Sequence, residues 1–178
     1  VTDQLRELER DSIRDWVLRA GNAGCFAGQD VLDYGCGQQP YRSIVEAGGG
    51  RYHGFDRAGM PGNVSGVDVG DDDDPLSAGG NRWGAILCTQ VLQYVRDPDE
   101  LLFRFWDALE PAGFLVLTGA TNWPEVEAAD LHRHTVAGIG RMALECGFTV
   151  VQLESRAQID WHGASLSLGY GLIANVGA

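Results

Sequence analysis

The sequence predicts an α/β domain: a doubly wound, mostly parallel sheet of about seven strands with helices on both faces. Three observations predict it. Helix-spaced amphipathic stretches alternate with short apolar runs along the whole chain. Runs such as "WGAILCTQ" (83–90) are apolar throughout, not at every second residue, as parallel strands covered on both faces are. The first run breaks into glycines just before a helix, the strand–turn–helix unit found where such sheets bind ligands. The 178 residues form one domain, 1–178. A chain of that length buries roughly 70% of its unfolded surface, so the fold needs neither disulfides nor metals.

The elements follow in order. From Thr2 to Ala20, Leu5, Leu8, Ile13, Trp16, Val17 and Leu18 recur at helical spacing between charges. This is the N-terminal helix (1–20), capped by Thr2 or Asp3 and ended by Gly21. "DVLDYGCG" is a strand entering a glycine turn. Tyr41–Ala47 is a short helix closed by three glycines, and "RYHGFD" is the second strand. Residues 57–80 form a long loop region rich in Gly, Asp and Pro, with one short β-like piece at Val64–Val69. "WGAILCTQ" is a buried strand. "DPDELLFRFWDAL" is a helix with Asp97 at the N-cap, Pro98 in the first turn and Glu100 three residues after the cap. "PAGFLVLTG" turns into another buried strand, Val136–Cys146 is a helix ended by Gly147, and "FTVVQLESR" alternates as a strand. The tail "ASLSLGYGLIANV" reads as a final strand interrupted by glycines.

Composition narrows the chemistry. All 13 basic residues are arginine. Without lysine there is no Schiff-base catalysis and no lysine to grip the phosphates of a P-loop site. A net charge of −12 repels phosphate backbones and anionic lipid, so no nucleic-acid and no membrane partner is expected. Cys25, Cys36, Cys88 and Cys146 are far apart with no C-x-x-C pair, which points to free thiols in a reducing cytoplasm. The N-terminal decapeptide is charged and unlike a signal peptide, and no apolar run is long enough to span a bilayer.

The informative motif is "VLDYGCGQQP", Val31–Pro40. Glycines at Gly35 and Gly37 serve either a tight turn with no ligand or a backbone that a ligand approaches closely. The third glycine of the dinucleotide fingerprint is missing, and Pro40 spoils the helix N-terminus that a pyrophosphate prefers. The carboxylate of Asp33 also suits a cationic or donor ligand better than a phosphate. An amino acid joined to a nucleoside without phosphates fits.

On these residues the chain resembles the class I S-adenosylmethionine-dependent methyltransferases, of the type 11-like small-molecule kind, with their Rossmann-like fold. Asp33, Gly35 and Gly37 stand where the family has an acid and a G-x-G turn. Asp56 ends the second strand 23 residues later, where an acid accepts from both ribose hydroxyls. Asp68 with Val69 is the candidate for the adenine end. "WGAILCTQVLQYVRDP", "LEPAGFLVLT" and "LHRHTVAGIGRMALECGFTVVQLESR" are similar to the family's later segments, with Ala112 where glycine is common, so the resemblance covers roughly 28–156. It implies S-adenosylmethionine as cofactor, held by Asp33, Gly35, Cys36, Gly37, Asp56, Arg57, Asp68, Val69, Thr89 and Gln90. It also implies a small-molecule methyl acceptor. His132 and His134 are the candidate bases, since imidazole titrates near neutrality.

The departures matter too. The 26 residues between Asp56 and Trp83 leave little room for a full helix between the second and third strands. Gln93-Tyr94 stands where many relatives have an acid and a histidine. Asp71–Asp74 reads as a solvated loop, with a divalent-metal site as the alternative. His132 and His134 share a face if extended, as a zinc pair does, but no third ligand is near, so no metal is expected. Trp83, Phe103, Phe105 and Trp106 read as core and helix-face residues, and Trp123 as a lid contact or a packed anchor. The apolar tail is a candidate homodimer interface. Two alternatives stay open beside the methyltransferase: a degenerate cofactor-binding domain that scaffolds a partner, and an NAD-dependent oxidoreductase.

Overall fold

The computed structural model describes residues 3–56, 67–69, 74–76, 83–124, 130–161 and 164–177. In chain order the elements are α1 (Asp3–Asn22), β1 (Asp30–Tyr34), α2 (Arg42–Ala47), β2 (Arg51–Asp56), β3 (Val67–Val69) and β4 (Trp83–Thr89). A 3₁₀ turn (Leu92–Tyr94) precedes α3 (Pro98–Ala108), β5 (Leu109–Ala120), α4 (Val136–Glu145), β6 (Thr149–Trp161) and β7 (Ala164–Asn175).

The strands form one seven-stranded sheet in the order β3-β2-β1-β4-β5-β7-β6. Pairs from β3 to β5 are parallel, and β7 runs antiparallel between β5 and β6. The chain leaves β1 toward β2 on one side and later resumes beside β1 with β4 on the other. That reversal opens a crevice at the carboxyl ends of β1 and β4, the usual ligand position in such sheets.

Each face of the sheet has its own core. On one face Trp16, Val17 and Ala20 of α1 and Ile44 and Val45 of α2 pack with Val31, Ala85, Leu87 and Val116. On the other, Leu101, Leu102 and Phe105 of α3 and Ile139 and Ala143 of α4 pack with Leu32, Ile86, Leu115 and Leu117. Fully burying one such side chain contributes about 1.5–3 kcal/mol. Trp16 lies so close over β7 that a Cβ on Gly171 would meet its ring at 2.5 Å, which is why glycine stands there.

Local signals locate the helix starts. Asp97 accepts from the Glu100 N–H and Thr135 from the Gly138 N–H, so both α3 and α4 have side-chain caps. Ala112 sits at φ +62, the left-handed conformation that favours glycine.

Several expectations change. β6 runs on to Trp161, five residues past the alternating stretch, because β7 pairs along its whole length. The tail is indeed a strand, but its apolar residues Leu168, Tyr170, Leu172, Ile173 and Ala174 are buried inside the sheet. They are therefore unavailable as a homodimer interface. Phe103 is half exposed and stacks on Trp106, whereas Trp83 and Phe105 are buried. Of the expected Val64–Val69 piece, Val67–Val69 is strand and the rest lies outside the described residues, as do Asp71–Asp73. Asp74 forms an ion pair with Arg104 of α3. All four cysteines are free. Among the described residues, no helix is long and apolar enough to cross a membrane, and no group of three or more His, Cys, Asp or Glu could hold a metal.

Candidate functional site

Three segments converge in the crevice. The end of β1 supplies Tyr34 and the turn after it Gly35 and Gly37, the end of β2 supplies Phe55 and Asp56, and the stretch after β4 supplies Gln90, Val91, Tyr94 and Val95. Together they line a cavity of about 300 Å³.

The turn is latched to β2. The N–H groups of Gly35 and Cys36 both donate to the Phe55 carbonyl, at 2.8 and 3.0 Å. The Gly37 N–H donates to Asp56 Oδ2 at 2.8 Å. Gly35 is required twice over, by its φ of +78 and because a Cβ would lie 2.4 Å from Val91 Cγ2. Gly37 differs: its φ is +50, yet a Cβ there would meet nothing within 4 Å among the described residues. The turn thus closes against Val91 on one side and leaves its backbone approachable at Gly37.

The residues expected around the cofactor divide into two groups. Gly35, Gly37, Asp56 and Gln90 line the cavity. Asp33, Cys36 and Thr89 do not. Asp33 is fully buried behind the turn, and its Oδ2 accepts from the Tyr52 hydroxyl at 2.6 Å. Burial pushes its carboxyl up to about 7, against the pull of that hydrogen bond, and the nearby Asp56 charge pushes the same way. Burial also holds the Cys36 thiol up near 12, so it is no nucleophile at neutral pH. The Thr89 side chain lies close to the Tyr41 hydroxyl at the start of α2. In register, β3 sets Asp68 beside Phe55 and Val69 beside Asp56. Arg57 lies outside the described residues.

His132 and His134 do not line the cavity either. They sit in the irregular segment before α4, strapped over the 3₁₀ turn: the N–H groups of Leu131 and His132 donate to the Gln93 carbonyl at 2.6 and 3.2 Å. That carbonyl is one residue from Tyr94 of the cavity wall. The two rings stack with centroids 5.7 Å apart, and His134 meets Tyr170 edge-on at 6.4 Å. Burial, then the neighbouring His132, pushes His134 below its ordinary pKa, despite Asp99. It is therefore neutral at pH 7, the form that accepts a proton. The strap is anchored by Arg133, which pairs with Asp130 and donates to the Trp123 and Pro124 carbonyls. Trp123 is thus tied down through its main chain.

Sequence reasoning missed the apolar wall: Tyr34, Phe55, Val91, Tyr94 and Val95. Tyr34, Phe55 and Val91 adjoin a named site residue, and Val91, Tyr94 and Val95 lie in the segment 83–98 already similar to the family's, so adjacency and that segment were the available signals. Tyr34 packs on Phe55 and Phe105, both at 5.3 Å between centroids.

The cavity's chemistry suits a nucleoside. It has a carboxylate at Asp56, an approachable backbone at Gly37 and aromatic walls. It also has two buried amide atoms nearby, Gln90 Nε2 and Gln93 Oε1, with no hydrogen-bond partner among the described residues. The sequence profile of the family described as methyltransferase domain matches residues 5–161. The chain belongs to that family. Among proteins of curated function, none is significantly similar in sequence. Solved structures are similar in fold. An S-adenosylmethionine-dependent methyltransferase from Mesorhizobium loti has a TM-score of 0.66 at 17% identity, over 88% of this chain and 96% of that one. The magnesium protoporphyrin IX methyltransferase ChlM from Synechocystis PCC 6803, with bound S-adenosylhomocysteine, scores 0.68 at 15% identity, over 99% and 88%. The [4+2]-cyclase SpnF scores 0.65 at 15% identity, over 90% and 81%. Such identities establish the fold alone. As a methyltransferase of the class I S-adenosylmethionine-dependent family, this chain is an enzyme whose methyl donor is S-adenosylmethionine. The oxidoreductase reading is thereby set aside.

Proposed function

We propose that this methyltransferase moves the methyl group of S-adenosylmethionine to a small-molecule acceptor. The observation that carries this reading is the cavity itself. It is of nucleoside size, and Asp56 and Gly37 share its floor through their own hydrogen bond. Bound there, S-adenosylmethionine supplies an electrophilic methyl group for in-line displacement by the acceptor's nucleophile.

The chain's own residues then have distinct tasks. Asp56 accepts from ribose hydroxyls, as a carboxylate with several lone pairs can. Gly37 offers main chain to the ligand, and Gly35 seats the turn against Val91. Asp33 orients the turn from behind, through Tyr52. Phe55 and Tyr34 give the base an apolar wall beside the end of β3, where Asp68 and Val69 lie. Gln90 serves the methionyl end, with Thr89 and Cys36 supporting it. Tyr94 and Val95 keep water from the reacting centre. Neutral His134, or His132 beside it, takes the acceptor's proton when the nucleophile needs to lose one. Excess negative charge disfavours polyanionic acceptors, and four free cysteines favour a reducing compartment such as the cytoplasm.

Calorimetric titration tests the cofactor site. S-adenosylmethionine binds and NAD does not, and Asp56→Ala weakens binding by about tenfold or more, as expected for losing charge-assisted hydrogen bonds. Absence of S-adenosylmethionine binding at high micromolar concentration sinks the reading. Incubation of labelled cofactor with cell extract tests the acceptor: label is expected in a small molecule rather than in nucleic acid or protein.

A further inference from the structure

Among the described residues, four other than glycine have left-handed backbone: Gln39, Gln90, Ala112 and Ala157. Two of them border the cavity. Gln90 lines it, and Gln39 stands two positions after the lining residue Gly37. Both glutamines have φ +57, a strained shape that persists only where the surroundings enforce it. Both are clasped in the same way. Each side-chain Oε1 accepts from the side chain three residues on: Gln39 from Arg42 Nη1 at 2.9 Å, and Gln90 from Gln93 Nε2 at 3.2 Å.

The Gln39 clasp acts on the glycine turn. The Gln39 N–H donates to the Cys36 carbonyl at 2.8 Å, which closes a four-residue turn with Gly37 inside it. The Gly37 N–H in turn holds Asp56 at 2.8 Å. The Gln39 side chain is buried and lies over Gly54 of β2. A Cβ on Gly54 would come within 3.1 Å of Gln39 Nε2 and 3.0 Å of Cys36 Sγ, so glycine there lets the turn rest on the strand. Gln39 Nε2 has no hydrogen-bond partner among the described residues. Among them, then, Arg42 alone directs this side chain by a hydrogen bond.

Arg42 does this from outside the cavity, on the exposed side of α2. Its Nε pairs with Glu46 one helical turn on, at 3.0 Å. Its guanidinium lies over the Tyr52 ring, 5.2 Å from the centroid. The Tyr52 hydroxyl holds Asp33 at 2.6 Å. One exposed side chain thus ties the closing residue of the turn to both α2 and β2. A wall that is set in advance loses no freedom when a ligand arrives, and this raises affinity.

We infer that Arg42 is a positioning residue for the cofactor: its clasp on Gln39 fixes the turn that carries Gly37, without touching the ligand. This deepens the proposed function and rests on its cofactor site.

The test uses wild type, Arg42→Met, Gln39→Gly and the double variant. Two quantities are measured: calorimetric affinity for S-adenosylhomocysteine, and amide hydrogen exchange of the ligand-free protein. Arg42→Met should weaken S-adenosylhomocysteine by about fivefold, the worth of one ordinary hydrogen bond. It should speed exchange of the Gly37 N–H by about as much, and leave the Glu100 N–H at the cap of α3 unchanged. Glycine at 39 takes the left-handed shape freely and offers no side chain to clasp. In the Gln39→Gly background, Arg42→Met should therefore have no further effect on affinity or exchange. The inference is overturned if Arg42→Met binds S-adenosylhomocysteine as wild type does. It is also overturned if Gly37 and Glu100 exchange faster alike, which is general loosening. A full penalty from Arg42→Met in the Gln39→Gly background overturns it as well. Arg42→Lys, which keeps a cation but lacks the forked donors, replaces Arg42→Met if the latter does not fold. Wild type that binds no S-adenosylhomocysteine defeats the cofactor reading instead. Exchange then decides the clasp by itself: a Gly37 rate equal in wild type and Arg42→Met overturns it.

Discussion

At the scale of single residues, the acids that end β1 and β2 have separate roles. Asp56 lines the cavity and holds the Gly37 N–H, whereas Asp33 is sealed behind the turn with the Tyr52 hydroxyl. The sequence shows both as acids at strand ends. Only packing reveals that one faces a ligand and the other the core. Asp33 also has a consequence for stability. Its folded pKa, near 7, lies above the ordinary value of 3.8, so between those pH values the folded state holds a proton that the unfolded chain has released. Stability from this group is complete below about pH 4 and is lost as pH rises through 7. Chemical denaturation of wild type and Asp33→Asn across pH 4–8 should show wild type losing, on the order of, a few kcal/mol relative to the variant over that window. A constant difference between the two would contradict the buried, protonated acid.

At the scale of elements, local sequence was a good guide wherever a local cause exists. The caps at Asp97 and Thr135 place α3 and α4, and the apolar runs place β1, β2 and β4. It was a poor guide where pairing decides. β6 extends through Ser155–Trp161 because β7 offers partners there, not because the residues alternate. The 3₁₀ turn after β4 carries no marked signal, yet it sets Tyr94 in the cavity wall and offers the carbonyl that straps the histidine segment. α1 is the element with the most distant consequences. Its Trp16 is fully buried against β7, and the same helix presents the Ser12 hydroxyl to Arg156. Trp16→Ala should therefore cost about 3–5 kcal/mol in denaturant unfolding, the usual range for a buried tryptophan. A loss below 1 kcal/mol would mean α1 is not docked as described.

At the scale of the whole molecule, the cavity joins segments from β1, β2 and the region after β4, so its ligand ties together parts far apart in sequence. Ligand that binds only the folded state stabilises it by mass action. S-adenosylhomocysteine at 100 times its dissociation constant should add about 2.7 kcal/mol to unfolding, and NAD nothing. Equal stabilisation by both would argue for a different site.

Residue types and their spacing were enough for the fold class, the glycine turn, the acids Asp33 and Asp56 at two strand ends and the chemistry closed off by the absence of lysine. These depend on residue type and local periodicity, which a string of letters records in full. The insertion of β7 between β5 and β6, the aromatic wall of the cavity and the meeting of Arg156 with Ser12 of α1 across 144 residues come only with the packed fold. Such contacts are chosen by which surfaces bury together, and no local pattern in the chain encodes the partner.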